Sequence, residues 1–591
     1  MRYIFLFLLA VNFSVSASAI PQSKFSGTVS DAKTGERLPG VVIKIEGTSK
    51  GAKTNLNGEF NISVDPGSYS LRITYLGYKP KIVENAELKS GQTNHVDIVL
   101  ETEAIQGQEV VVTTKIETET QTAQLLARKS ASQMNDFISA EQIRRSPDAT
   151  SSDALKRVSG VSIVDNKFVE IRGTSERYNN AVLNGAALSS TEPDKKSFSF
   201  DLLPANLIDN TVVSKTFTPD LPANFAGGLV QVNTVNFPDK FNARIGLTGS
   251  FNNVTTGKGF TSYQTGSTDW LATDDGTRDL PSGFPTESIS NTKYTPEDIQ
   301  RFGLLFKNNW KTNTITAPTN LGFALSLGDA LQIFDNEFGY IASLSYKSSY
   351  DHAEIVRNNF NPDGTAATLR SGISDGYSVL WGGLLNLTYK VGDNSVLSLR
   401  NVYDKSADDK VYQLNGVDSA NFFLDKETSL HYTERSLWSS QLTGEHLLEN
   451  LGKTKIEWRL SRSVTDRSEP DLRQYSYLKQ LGEPETTPYI AQIGYGADPR
   501  QGGRFFSDMN EKYNEAALDL TVPVSTTKIK VGGLIGDRER NFSARVLAYK
   551  IANPSASGMI MSSAIDTLFA ADHIGPQALQ IDEITNPTDQ Y

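Results

Sequence analysis

The sequence contains no cysteine among its 591 residues. This absence excludes disulfide bonds, thiolate metal sites, a cysteine nucleophile and a lipid anchor attached to cysteine. It does not by itself identify the compartment in which the protein works.

Long apolar runs are also absent after residue 20. A membrane-spanning helix needs about 20 consecutive apolar residues, so the sequence excludes a helical membrane protein. Strands that cross a membrane escape this test, because only alternate residues of each strand face lipid. A transmembrane β-barrel therefore stays open.

The sequence lacks the concentrated positive charge that binding to nucleic acid requires. The formal net charge is -11, and no cluster of Lys or Arg forms a stripe. We therefore expect no nucleic-acid partner. In contrast, 28 Phe, 22 Tyr and 45 Gly favour β structure with many turns.

Histidine is rare, with 5 in the chain, and one enzyme-like motif contains it. His446 and Glu449 have the H-x-x-E spacing of zinc carboxypeptidases, and His573 is a conceivable third ligand. A four-residue match is weak evidence in a long chain. We expect no enzyme, no metal and no cofactor, and keep a zinc peptidase as an alternative.

The N-terminus has the three parts of a signal peptide in order. A positive charge at Arg2 precedes an apolar run from Ile4 to Val11, and an A-x-A cleavage site ends at Ala19. We therefore predict a signal peptide over residues 1–19 and an exported mature protein.

Residues 23–101 alternate at period two in short runs separated by turn residues, which predicts a small β-sandwich. The order G-x-V-x-D, P-G-V-x-I, T-x-x-x-G-x-F and P-G-x-Y-x-L-x-x-x-Y-x-G-Y resembles the carboxypeptidase-regulatory-like (transthyretin-like) domain. That resemblance implies a binding or spacer domain and no peptidase.

Residues 102–127 are polar and predict a linker, with one exception. The exception is a β-branched run that could add as a strand to the edge of a partner's sheet. Its residues are Glu109, Val110, Val111, Val112, Thr113 and Thr114. The alternative is that this run forms the last strand of the sandwich.

Residues 128–240 predict a compact α+β unit. A helix over 152–159 has Ser151 and Ser152 as possible N-caps, and Gly160 follows where a left-handed residue is wanted. Short strands and a proline-rich turn come next. Tight glycine turns are expected at Gly173, Gly185 and Gly227.

Residues 241–591 contain about nine long alternating strands, as a lipid-facing wall requires. We expect tight turns near 329, 392, 451 and 525, and long polar loops at about 253–318, 352–375, 405–430 and 467–511. Single-chain bacterial barrels have even strand numbers, and plugged ones about 22. We therefore expect an incomplete barrel with an exposed edge strand.

These parts together resemble the TonB-dependent outer-membrane receptors, in the Bacteroidetes-type arrangement with an N-terminal sandwich. The resemblance rests on plug motifs that occur in the family's order over about a hundred residues. They include Leu155, Arg157, Gly160, Arg172, Gly173, Asn184, Gly185, Gly227 and Gly228. Asn184 departs from the family's usual Asp, and an Asn-Gly turn serves equally well.

The resemblance implies a mainly β protein that contains a sandwich, a linker with the TonB box at 109–114, an α+β plug and a transmembrane β-barrel. It implies transport of a scarce ligand, such as a siderophore or an oligosaccharide, across the outer membrane. The implied partners are TonB, outer-membrane lipid, the ligand and, in some members, a surface lipoprotein. The alternative is a carbohydrate-binding or adhesion protein that the barrel only anchors.

Two further expectations concern side chains. Arg172 in a plug should find carboxylate partners on the lumen wall, where Glu457, Arg459, Arg538 and Arg540 are charged candidates. Loop aromatics could stack on a ligand, but packing between loops is the favoured interpretation. These aromatics are Tyr263, Trp270, Trp310, Phe360, Phe422 and Phe423.

Overall fold

The computed structural model describes residues 23–46, 48, 50–75, 78–89, 91–101, 118–289, 293–525, 527–586 and 588. The chain divides into two compact units, one up to Gln108 and one from Glu109 onward. The predicted signal peptide and the run 109–114 lie outside the described residues, and both stay predictions. The domain bounds also stay predictions.

The N-terminal unit is the expected sandwich of two small sheets. One sheet has the order β4-β1-β7, with β8 also beside β1, and the other has the order β3-β2-β5-β6. Their facing side chains, including Phe25, Ile43, Leu71 and Ile73, form the core. The strands are β1 (Ser23–Asp31), β2 (Val42–Ile45), β3 (Gly51–Lys53), β4 (Glu59–Val64), β5 (Gly67–Thr74), β6 (Lys81–Leu88), β7 (Thr93–His95) and β8 (Ile98–Leu100).

Two motif residues of the sandwich, Asp31 and Tyr78, form a partly buried hydrogen bond. The Tyr78 hydroxyl donates to Asp31 Oδ2 at 2.6 Å, and the amides of Lys33 and Thr34 donate to Asp31 Oδ1 at 2.7 and 2.8 Å. These donors, with the Tyr78 hydroxyl first, lower the pKa of Asp31 to about 2. The spacing of the motif therefore fixes the turn that follows β1.

The second unit begins with a compact domain that we call the plug. Its five-stranded sheet has the order β13-β12-β15-β14-β9, and a separate hairpin pairs β10 with β11. Its elements are α1 (Gln121–Ser130), β9 (Asn135–Ser139), α2 (Ala140–Arg144), α3 (Ser151–Leu155), β10 (Val161–Val164), β11 (Phe168–Ile171), β12 (Asn179–Leu183), β13 (Ala186–Ala187), β14 (Ile208–Ser214) and β15 (Gly228–Thr234).

Three glycines of the plug have the left-handed backbone conformation that the sequence predicts for them. Gly160, Gly173 and Gly185 have φ of 67°, 71° and 83°, a region that glycine occupies without strain. Asn184 has φ 48°, so Asn184-Gly185 is the tight β12–β13 turn that the dipeptide favours.

Three other local predictions in the plug are wrong in detail. The N-cap of α3 is Thr150, whose hydroxyl accepts the Asp153 amide at 3.3 Å, and the helix ends at Leu155. Gly227 is not a left-handed turn residue. A Cβ there would lie 2.1 Å from Asn179 Oδ1, so close packing requires the glycine.

The rest of the second unit is one 11-stranded antiparallel sheet, which we call the wall, with loops that carry further elements. The wall runs in the order β16-β19-β20-β21-β22-β23-β24-β26-β27-β28, with β25 beside β24. Its elements, with those of its loops, are β16 (Asn242–Ser250), β17 (Gly259–Tyr263), α4 (Pro296–Leu305), β18 (Thr312–Thr316), β19 (Asn320–Ile333), β20 (Asn336–Phe360), β21 (Ala366–Val391), β22 (Ser395–Asp418), β23 (Phe423–Leu448), β24 (Thr454–Gln480), β25 (Ile490–Ala491), β26 (Gly503–Val524), β27 (Thr527–Ile551), α5 (Pro554–Met561), α6 (Ile565–Leu568) and β28 (Leu579–Glu583).

The expected long loops within the wall are mostly strand. β20 to β24 have 24 to 27 residues each, so the predicted loops 352–375 and 405–430 shrink to 361–365 and 419–422. The prediction failed because polar residues on both faces hide the alternation but do not prevent backbone pairing. The expected loop at 253–318 is present, with β17, β18 and α4 inside it.

The predicted turn near 329 is also wrong. β19 continues to Ile333, and the chain reverses at Phe334 and Asp335, which have φ of 51° and 60°. Gly328, beside the predicted turn, has a different role, because a Cβ there would lie 2.6 Å from Pro238 Cδ. The missing side chain at Gly328 therefore leaves room for Pro238, in the segment that follows the plug sheet.

The two faces of the wall differ in chemistry. On β21, Leu384 belongs to the plug core, and we call this the lumen face. Trp381, Leu385 and Tyr389 lie on the opposite, outer face, and Leu385 is 43% exposed. Trp381 and Tyr389 are eight positions apart, which corresponds to about 27 Å along a strand and is comparable to the roughly 25 Å apolar band between two aromatic girdles.

The aromatic rows continue on neighbouring strands. Trp381 and Tyr403 have ring centroids 5.3 Å apart, and Phe338 and Tyr389 have theirs 6.5 Å apart. These rows support the interpretation of the sheet as a membrane wall. Within the described part of the chain, every helix is too short or too polar to cross a bilayer.

The wall is open, as expected. Among the described residues, β16 pairs only with β19, and β27 pairs with β26 and with the short β28. Nine of its strands are long, which agrees with the sequence count, and β25 and β28 are short additions.

Replacing Tyr78 by Phe tests the hydrogen bond between the Tyr78 hydroxyl and Asp31. We expect a lower melting temperature at pH 7 for a fragment of residues 20–101. Because the pKa of Asp31 is depressed in the folded state, its contribution is present above about pH 4 and is lost as pH falls towards 2. The wild-type advantage in thermal unfolding should therefore shrink over that range.

Tyr69→Phe is the matched control, because the Tyr69 hydroxyl donates to the Asp65 carbonyl in an exposed position. An equal loss in both variants, or a pH-independent difference for Tyr78→Phe, would contradict this account.

Candidate functional site

The plug and the wall meet at a buried arginine. Arg435 of β23 has a side chain that is 1% exposed, and its guanidinium lies 2.8 Å from Asp201, 3.1 Å from Asp408 and 3.7 Å from Glu192. Asp408 belongs to the wall, whereas Asp201 and Glu192 belong to the plug. One cation therefore joins carboxylates from both parts.

Three more wall arginines reach the plug. Arg467 lies 3.5 Å from Glu192 and 2.8 Å from Glu469 of its own strand. Arg540 donates to the Pro193 carbonyl at 3.3 Å. These contacts surround the plug segment 190–193 with positive charge.

Arg459, the third, lies against the β12–β13 turn of the plug. A Cβ on Gly185 would come within 2.7 Å of its guanidinium, which pairs with Glu515 at 2.7 Å. Glu515 in turn accepts the Ala187 amide at 3.4 Å. The predicted candidates Arg459 and Arg540 therefore touch the plug, whereas Glu457 pairs with Lys455 and Arg538 with Glu511.

The expected partners of Arg172 are wrong. Its guanidinium donates to the carbonyls of Lys215 and Gly227, at 2.6 and 2.9 Å, and both lie in the plug. The end of β14 and the start of β15 leave these carbonyls without ladder partners, so a side chain satisfies them. Arg172 therefore stabilises the interior of the plug, and among the described residues it pairs with no wall carboxylate.

The remaining sequence-predicted plug residues are structural. Leu155 is in the core, and Arg157 pairs with Asp148 at 2.8 Å. A Cβ on Gly228 would lie 2.6 Å from Ile171 Cδ1. These residues shape the plug, whereas the charged contacts with the wall involve Glu192 and Asp201, which the sequence analysis did not single out.

A large cavity opens beyond Arg435 on the lumen face, and we call it the vestibule. Its volume is about 920 Å³. Side chains on β20 to β24, on the turn 419–422 and on the loop 481–502 line it. They are Arg357, Arg370, Tyr412, Leu414, Asp418, Asn421, Phe423, Asp425, Glu427, Thr428, Ser429, His431, Leu472, Gln474, Tyr475, Ser476, Leu478, Gln492, Arg500 and Gln501.

Charges in the vestibule are balanced and partly paired. Three arginines face three carboxylates, and Arg370 donates to Asp425 at 2.6 Å. Within the described part of the chain, Arg357 and Gln474 have no side-chain hydrogen bond or ion pair, so their donors are available to a ligand. The vestibule therefore offers amides, hydroxyls and aromatic faces with little net charge.

The loop aromatics divide into two groups. Tyr263 and Trp310 are 4% and 0% exposed and pack under loops, as favoured. Trp270, Phe360 and Phe422 are 55%, 62% and 66% exposed, so packing is wrong for them. Phe423 lines the vestibule, where it could stack on a ligand.

The H-x-x-E motif is occupied by structural contacts. His446 Nε2 accepts from Trp458 Nε1 at 3.0 Å, and its Nδ1 lies 2.9 Å from Ser395 Oγ. Glu449 accepts from Asn394 at 3.1 Å. Both ring nitrogens of His446 are thus used, and the described residues contain no cluster that could hold a metal.

Comparison with known proteins assigns both N-terminal segments. The CarboxypepD_reg-like domain model matches residues 25–112, and the TonB-dependent Receptor Plug Domain model matches residues 127–229. A curated relative, TonB-dependent receptor P3 of Formosa agariphila, is 32% identical over 109 residues. The chain therefore carries a plug domain of the kind found in TonB-dependent receptors, and neither of the two matched domains is an enzyme domain.

The matches have limited extent. The alignment with the curated relative covers 18% of this chain and 10% of the relative's own length. The CarboxypepD_reg-like match extends to residue 112 and so overlaps residues 109–112. The alternative in which 109–114 closes the sandwich therefore stays open.

Two solved structures illustrate the structural matches, which are distant. FpvA of P. aeruginosa, bound to a pyoverdine, is 9% identical, with 71% of this chain and 55% of that one covered at a TM-score of 0.34. BauA, the ferric preacinetobactin receptor from Acinetobacter baumannii, is 12% identical, with 71% and 61% covered at a TM-score of 0.29.

Replacing Arg435 by Met tests the join between plug and wall. The change leaves three neighbouring carboxylates short of one cation, and breaking such a buried pair costs about 3–5 kcal/mol. Because the receptor has no cysteine, the thiol of a Ser151→Cys variant, buried in the plug, is the only one available for labelling. We expect its labelling rate in mild urea to rise by two to three orders of magnitude. That factor is roughly what this loss of free energy corresponds to.

Arg301→Met is the control, because Arg301 pairs with Asp298 on an exposed helix and such pairs contribute little. Unchanged labelling in Arg435→Met would show that the ion pairs do not hold the plug.

Proposed function

We propose that the receptor takes up a ligand across the outer membrane with energy supplied through TonB. The observation that carries the proposal is the plug seated against the lumen face of the wall, with a lined vestibule beyond it. The outer face between the aromatic rows contacts lipid, and the vestibule opens to the outside. The N-terminal sandwich then lies in the periplasm. A surface lipoprotein partner stays a prediction.

The vestibule chemistry favours an uncharged, polyhydroxylated ligand such as an oligosaccharide. Its arginines and carboxylates balance, whereas a strongly anionic ligand would call for excess positive charge. Amide side chains such as Gln474 and Gln492 can donate and accept at once, as neighbouring hydroxyls require. Phe423 supplies an apolar face for a sugar ring.

Coupling would act through residues 109–114, which correspond to the TonB box and could add as a strand to the partner's sheet. Paired backbone hydrogen bonds would let the energised partner pull on the plug. Ligand occupancy can influence that step only if the ligand binds the docked and released states of the plug with different affinity.

Deleting residues 109–114 tests the coupling. We expect loss of uptake with ligand binding retained, because the deletion removes the docking strand and leaves the vestibule intact. Uptake and cell-surface binding of the same labelled oligosaccharide are measured side by side.

Deleting residues 102–107 is the matched control, since it shortens the linker equally and spares the run. Normal uptake without 109–114 would favour the alternative of an adhesion protein anchored by its barrel.

Replacing Phe423 by Ala tests the ligand site. We expect about a tenfold loss of affinity for the transported ligand, which corresponds to ~1.4 kcal/mol, measured by calorimetry on the purified receptor. Phe360→Ala, an exposed aromatic of the β20–β21 turn outside the vestibule lining, should bind as the wild type does. Equal affinity in both variants would remove Phe423 from the site.

A further inference from the structure

A buried carboxylate holds the chain where the linker enters the plug. Thr118 is the first described residue of the predicted linker 102–127, and its hydroxyl donates to Asp209 Oδ2. The Gln124 side chain donates to the Thr118 carbonyl at 2.7 Å. Asp209 is 2% exposed. A buried acid of the plug sheet therefore bonds to the linker.

The sheet is irregular at Asp209. In the β14–β15 pairing, Ile208 lies opposite Thr234 and Asn210 lies opposite Asn233, so Asp209 is the extra residue of a bulge. A bulge of this kind leaves one residue out of the ladder and redirects its side chain. The irregularity aims the Asp209 carboxylate at Thr118.

Asp209 has few partners for a buried acid. Asn210 donates to Oδ2 at 2.6 Å, whereas the buried Oδ1 accepts no hydrogen bond within the described residues. Burying a carboxylate without full compensation destabilises the fold. A position kept at that cost, where the linker meets the plug, suggests a role beyond folding.

The groups around Asp209 come from the linker and from α2. Glu119 lies 3.5 Å from Arg144, and its carbonyl accepts the Glu141 amide at 3.1 Å. Burial raises the pKa of Asp209 to about 6; the Thr118 and Asn210 donors and Arg144 oppose this rise, and Glu119 adds to it. The carboxyl therefore titrates near neutral pH.

We propose that Asp209 is a positioning residue for energy coupling: with Thr118 it forms a catch that holds the end of the linker on the plug sheet. The pull of the energised partner, which rests on the proposed function, opens this catch first. Force then passes to β14 and its neighbour β9 at the edge of the plug sheet. The catch itself exists in the isolated receptor and needs no partner to be measured.

The catch depends on pH in a defined direction. Protonation favours the closed catch, because the pKa of Asp209 is about 6 when buried and ordinary when the opened site is hydrated. The closed state is therefore most stable below about pH 4 and loses this advantage as pH rises through 6. Between pH 5 and 7.5 the opening equilibrium should rise about tenfold.

The test places a nitroxide label on an Ile116→Cys variant of the full-length receptor, purified in detergent, and measures the fraction of mobile label. We expect Thr118→Val and Asp209→Ala to raise that fraction several-fold at pH 5. Asp209→Asn keeps an acceptor for the Thr118 hydroxyl and cannot titrate. In the Asp209→Asn variant the fraction of mobile label should stay low from pH 5 to 7.5, whereas in the wild type it should rise over that range.

Thr218→Val is the matched control, because the Thr218 hydroxyl donates to Asp220 in an exposed part of the plug. It should behave as the wild type. Wild-type label mobility in both Thr118→Val and Asp209→Ala, or a wild-type pH profile in Asp209→Asn, would overturn the proposal. Asp209→Asn retains the shape of the carboxyl, so its pH profile decides the question even if Asp209→Ala unfolds.

The two proposals can fail separately. If uptake does not need residues 109–114 and the label still responds as expected, the catch stands and the coupled transport does not. If uptake needs 109–114 and the label ignores Asp209, transport stands and the catch is wrong.

Discussion

The structure of the second unit depends on matching buried charges between the plug and the wall. Arg435 has a guanidinium almost without solvent contact, and its Nη2 pairs both with Asp201 of the plug and with Asp408 of the wall. An unpaired charge in such a place is strongly unfavourable, and a paired one gives little net stability. The network therefore fixes how the plug sits in the wall more than how firmly it holds. Lys167 and Arg467, both near Glu192, bring the local charge close to zero.

The sequence revealed the plug well because its turns have strict backbone requirements. Asn184-Gly185 and Gly160 must adopt left-handed conformations, and such positions leave a visible signature in residue choice. Partners across the domain leave no such signature. Arg172 was expected to need a carboxylate, yet two carbonyls from neighbouring strand ends satisfy it. Asp209 was not visible either, because nothing in the local sequence marks a bulge.

The wall was predictable only where it faces lipid. Between Trp381 and Tyr389 one face must be apolar, so the alternation is plain. Beyond Trp381 both faces of β21 to β24 meet water, loops or the vestibule, and the pattern disappears although the strands continue. The site residues Arg435, Asp408 and Asp425 lie in such stretches. Asp408 and Asp425 fall in the predicted loop 405–430, so the alternation that places them on the lumen face was missed, whereas Arg435 lies outside the predicted loops.

The vestibule and the ion-pair network share one side chain. His431 lines the vestibule and lies 2.6 Å from Glu469, which contacts Arg467, which contacts Glu192 of the plug. A ligand that alters the hydrogen bonding of His431 changes the electrostatic balance at the plug surface without touching the plug. Any such coupling is reciprocal, so displacing Glu192 would also change ligand affinity by the same factor. If a ligand occupies the vestibule as proposed, its contact with His431 and a movement of Glu192 would be coupled through this charge network.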